Sequence, residues 1–72
     1  MRQLHILRTA ADSLAREVIE QQVRSGDEVR VVITGEAAGA RLPESAQTFA
    51  MPPLPYDDLV ELLTWCERVV SW

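Results

Sequence analysis

The chain has no lysine and no asparagine, and it carries a single cysteine, a single histidine and three glycines. One thiol, Cys66, closes no internal disulfide and builds no multi-thiolate metal site. His5 has no Cys, Asp or second His at ligand spacing, so neither a metal nor a cofactor is expected. No apolar run approaches the roughly 18 residues of a membrane span, and no signal-peptide pattern opens the sequence. A reducing, cytoplasmic compartment is the resulting expectation. Basic charge is thin as well: seven scattered arginines stand against 11 acidic residues, for a net charge of −4 and a pI near 4.8. That balance disfavours nucleic acid or an anionic membrane as the main partner. The missing Lys and Asn reflect codon or genome composition and carry no functional weight.

What remains is ordinary globular composition, 47% hydrophobic and 25% charged over 72 residues. Residues 1–72 read as one domain. A chain of this size buries only about 60% of its unfolded surface, so an oligomer is expected.

Leu4-His5-Ile6-Leu7 reads as a first strand. Thr9 and Asp12 then offer helix-start chemistry. From Asp12 to Arg24, Leu14, Ala15, Val18, Ile19 and Val23 recur at spacings of three and four, which predicts an amphipathic helix. Gly26 suits the left-handed position after it. Val29–Thr34 is a β-branched strand, so strand, helix and strand form a βαβ unit with a right-handed crossover. The stretch from Gly35 to Ser45 is mostly loop. Thr48–Met51 is a third strand, and Pro52-Pro53-Leu54-Pro55 a stiff connector in which the PxxP spacing is incidental. Leu59, Leu62, Leu63, Cys66, Val69 and Val70 then follow helical spacing, with Val69–Trp72 read as a short closing strand. Asp58 and Glu61 have capping-box spacing.

The fold expected is α/β, a small doubly wound three-layer arrangement with a parallel sheet of three to four short strands. The expected strand order is 2-1-3, with the C-terminal segment beside strand 3. The expected core is Leu4, Ile6, Val18, Val31, Ile33, Leu59, Leu62, Leu63 and Cys66.

In this order the motifs carry a resemblance. An N-terminal Leu-His-Ile-Leu strand precedes a helix leading into Ser25-Gly26-Asp27-Glu28-Val29 and a strand ending at Gly35. A Tyr56-Asp57-Asp58-Leu59-Val60 helix start and a closing Trp72 follow. Over residues 4–35 and 56–72 the chain resembles the DsrH/TusB-like proteins of the DsrE superfamily, flavodoxin-like α/β subunits of sulfur-relay complexes. The resemblance implies a non-catalytic subunit or interaction module serving tRNA 2-thiouridine modification or sulfur oxidation through partner cysteines. It also implies DsrE/TusD-like subunits as partners. The family carries a further helix and strand before the Tyr-Asp-Asp helix, where this chain has only Met51–Pro55.

Cys66 is the weak catalytic candidate. A persulfide carrier needs a stabilised thiolate, yet periodicity puts Cys66 late in a helix on an apolar stripe, where neither the dipole nor the surroundings favour one. It is expected to be structural. His5 is expected to point into a helix layer with its ring nitrogens bonded to backbone or water. The Gly35–Gly39 loop follows a strand, where open α/β sheets bind ligands, but it lacks phosphate-loop chemistry. Asp57, Asp58 and Glu61 are read as capping and dipole compensation rather than acid–base machinery. Trp65, Val69 and Trp72 are the expected oligomer or partner contacts. Helical spacing puts Trp65 beside the Leu62 and Val69 edge, off the core stripe, and Trp72 has little following structure to bury it. Otherwise both rings fold back over their own sheet. The alternatives are a free-standing homo-oligomer without a relay role, and a sulfurtransferase using Cys66.

Overall fold

The hydrophobic runs form four strands and two helices in the computed structural model, which describes residues 1–8, 13–35, 42–51 and 53–72. In chain order these are β1 (Arg2–Leu7), α1 (Ser13–Arg24), β2 (Glu28–Thr34), β3 (Gln47–Met51), α2 (Tyr56–Trp65) and β4 (Arg68–Ser71). Thr9, Asp12, the loop from Glu36 to Gly39 and Pro52 lie outside the described residues, so the capping, anion-loop and PxxP readings there do too.

All strand pairings are parallel, and the sheet order is β3-β2-β1-β4. The architecture is the doubly wound α/β one, with a helix on each face. The order is not the expected 2-1-3. Leu42 and Ala46, on the way from β2 to β3, pack into the cluster formed by Ala15 and Ile19 of α1. The described end of the β2–β3 connection, residues 42–46, therefore lies on the same face as α1, as a right-handed crossover that places β3 outward past β2 requires. The free edge of β1 is then left for β4. The chain reverses direction across the sheet, and α2 lies on the opposite face. β3 and β4 are the two edges.

Strand alternation divides the core in two. Leu7, Val29, Val31 and Ile33 face α1, whereas Leu4 and Val32 pack with Leu62 of α2. Leu4, Val31, Ile33 and Leu62 are buried as expected, while Ile6, Val18, Leu59 and Cys66 are half-buried. Leu63 is a correction: it is 43% exposed beside a 6% exposed Leu62. One face of α2 meets the sheet, and Leu62 occupies its centre. Leu14 likewise stays exposed on α1.

Gly26 ends α1 as its position in the sequence predicts. Its φ is +88°, its N–H donates to Val23 O, and Asp27 N–H donates to Gln22 O, a Schellman closure.

Candidate functional site

The middle of β1 turns His5 toward α1, where it is fully buried. Its Nε2 lies 2.6 Å from Gln22 Oε1 on α1, and its Nδ1 lies 2.9 Å from Trp72 Nε1. An indole nitrogen only donates, so Nδ1 accepts and Nε2 carries the hydrogen that Gln22 receives. The ring planes are 13° apart with centroids 6.1 Å from each other. Burial is the main force holding the His5 pKa below its usual value, and the Gln22 bond opposes it. With both nitrogens engaged by side chains, rather than by backbone or water, this imidazole is a structural joint and not a general base. Trp72 is correspondingly half-buried, folded back against the α1-side core rather than left uncovered at the end of the sheet.

At the other end of β1, Gln3 is buried and donates from Nε2 to Asp27 Oδ2 at 3.1 Å. Asp27 also receives the Met1 ammonium at 3.2 Å. The Gln3 bond, then the ammonium, hold the Asp27 carboxyl below its ordinary range.

Cys66 is not within the last helix. It is the first residue past α2, extended at φ −80° and ψ 152° and half-buried. Its N–H donates to Leu62 O at 3.1 Å and its thiol to Leu63 O at 3.4 Å. The helix stops at Trp65 because Arg68 must already pair with Gln3 in the sheet. Helical spacing beyond residue 65 is overruled by that ladder. The thiol lies at the negative end of α2, among carbonyl acceptors and with no cation beside it among the described contacts.

Asp58 does not cap α2. The cap position is Pro55, with no side-chain bond, and its carbonyl accepts from Asp58 N–H and Leu59 N–H. Asp57 and Asp58 occupy the first turn, where the dipole favours them. All three carboxylates, with Glu61, are solvent-exposed. Among the described residues no three His, Cys, Asp or Glu side chains are placed to hold a metal. No helix among them is long and apolar enough to cross a membrane.

The three expected contact residues are spread over the sheet rather than gathered. Trp65 packs on the α2 face, with the Arg30 guanidinium 4.0 Å from its ring centroid and that of Arg2 at 6.0 Å. Trp65 and Arg30, with Phe49, Leu54, Leu62, Asp58 and Glu61, line an open groove of about 450 Å³ between α2 and β3. Val69 shares the α2 face on the β4 edge and is 48% exposed, because α2 sits inward over β1 and β2. Trp72 belongs to the opposite, α1 face.

Sequence reasoning missed a fourth feature. Tyr56, Val60 and Leu63, at i, i+4 and i+7, form a second apolar line on α2 that the sheet leaves exposed. Its spacing was present in the sequence but overlapped the core stripe at Leu59, Leu62 and Leu63. Comparison with protein-family models, curated proteins and solved structures finds no match to this chain.

Proposed function

We propose that this chain is a non-catalytic subunit of a sulfur-relay assembly, in which it supports and positions partner subunits of the DsrE/TusD type. The reading rests on the ordered motifs at residues 4–35 and 56–72 that resemble DsrH/TusB-like proteins, borne on a doubly wound α/β sheet. The setting of Cys66 supports the non-catalytic part: the thiol donates to Leu63 O at the negative end of a helix, with no cation among its described contacts, whereas a persulfide carrier uses electropositive surroundings. Sulfur would pass between partner cysteines, in the cytoplasm, toward tRNA thiolation or sulfur oxidation. Exposed apolar residues on α2 and β4 supply surface for association.

The test is reconstitution with DsrE/TusD-like subunits encoded beside this chain. A stable complex is expected by size-exclusion chromatography, with sulfur transfer unchanged by Cys66→Ala. Absence of a complex overturns the proposal. So does loss of transfer in a folded Cys66→Ala protein, which would favour a sulfurtransferase.

A further inference from the structure

α2 buries little of its own apolar surface. Leu62 is buried and Leu59 half-buried, while Tyr56, Val60 and Leu63 are 70%, 42% and 43% exposed. Val69, on the neighbouring edge strand, extends the same face of the molecule. Three large exposed side chains share one helix line, and a fourth lies on the strand that follows, so the exposure is grouped rather than single.

Charge selects what can cover this line. Asp57, Asp58 and Glu61 are the charged residues of α2, and the helix has no cation. At 100° per residue, Asp57 and Glu61 border the apolar line on one side. Neither has an ion-pair partner among the described residues. Two copies joined through this face would bring together four carboxylates, Asp57 and Glu61 of each, with no helix cation to offset them, and close like charges oppose association. Nucleic acid and anionic lipid are disfavoured for the same reason.

We infer that the exposed face of α2, with Val69, docks a protein partner whose surface is apolar at its centre and basic at its rim. This deepens the subunit reading above and rests on it only for the claim that the chain works through association. Tyr56, Val60 and Leu63 supply the desolvated centre, and Asp57 and Glu61 steer and orient the partner. The bound state weakens as salt rises.

Three synthetic helical peptides test the chemistry against the full chain, with backbone amide shifts as the readout. One is amphipathic with Lys and Leu, the second has Glu in place of Lys, and the third has Ser in place of Leu. The Lys/Leu peptide is expected to bind, to perturb residues 56–63 and Val69, and to weaken several-fold at high salt. The other two are expected to bind at least about tenfold more weakly, as is the Lys/Leu peptide to a Val60→Gln/Leu63→Gln protein. If that double variant unfolds, Tyr56→Ser and Glu61→Gln replace it. Equal binding of either control peptide overturns the inference, as do shifts clustered elsewhere. A wild-type dimer abolished by the Val60 and Leu63 changes also overturns it. A relay complex whose affinity ignores those changes removes this surface but leaves the subunit reading standing. Selective binding of the Lys/Leu peptide without any relay complex does the reverse.

Discussion

Trp72 Nε1 donates a hydrogen bond to His5 Nδ1 at 2.9 Å, tying the residue after β4 to the middle of β1. The bond requires a lone pair on Nδ1, so it exists only while the imidazole is neutral. Protonation would place two hydrogens face to face in a buried site.

The pH dependence follows from that sign. The folded pKa of His5 lies below its unfolded value near 6.5, so the unfolded chain takes up the proton first. Stability from this group is complete above about pH 6.5 and declines as pH falls toward the folded value, by at most about 1.4 kcal/mol per pH unit. Urea midpoints at pH 7.5 and pH 5.5 check this. His5→Gln should flatten the difference between them. Asp27, whose folded pKa is also lowered, adds stability above its usual value near 3.8 that is lost further into acid, in a separate window.

Trp72→Phe keeps an aromatic ring but leaves Nδ1 without its donor. A loss of about 1–3 kcal/mol is expected, the cost of an unsatisfied buried acceptor. The His5 pKa, followed by NMR, should rise in this variant because the imidazolium no longer opposes an indole N–H. An unchanged titration would remove Trp72 from the joint.

Leu62 and Leu63 are adjacent in sequence and opposite in consequence. Leu62→Ala should cost about 2–5 kcal/mol, whereas Leu63→Ala should stay within about 0.5 kcal/mol. Thermal or denaturant unfolding of the two variants decides between a helix turned as described and one turned toward residue 63.

Gly26→Ala meets no atom within 4 Å of the new Cβ, so any cost is that of the backbone. With φ at +88° the loss should be about 1–2 kcal/mol. A neutral substitution would mean that the Schellman turn relaxes freely.

Local pattern carried most of the secondary structure. Val29–Thr34 reads as a strand and Gly26 as a helix stop because neighbours within a few residues decide both. Strand order was not legible. The 2-1-3 and 3-2-1 arrangements both satisfy handedness, and the choice turns on which face Leu42 and Ala46 cover. Cys66 failed for a related reason: helical periodicity continued past the point where pairing with Gln3 required a strand at Arg68. The His5 joint was half legible. A lone histidine on a central strand needs partners, but Gln22 and Trp72 are 17 and 67 positions away, and nothing local announces them.

The position of β4 beside β1 also bears on how the chain acquires its shape. β1, α1 and β2 are consecutive, and β3 adds to β2, so three strands assemble through short-range connections. β4 must instead close a loop from residue 6 to residue 68, a contact whose entropic cost is greater than that of the neighbouring strand pairs. Until then the outer edge of β1 stands open, and Leu4 and His5 lack their flank. During synthesis β4 leaves the ribosome after β1, and the pairing of Gln3–Ile6 with Arg68–Ser71 is the most sequence-distant contact of the sheet.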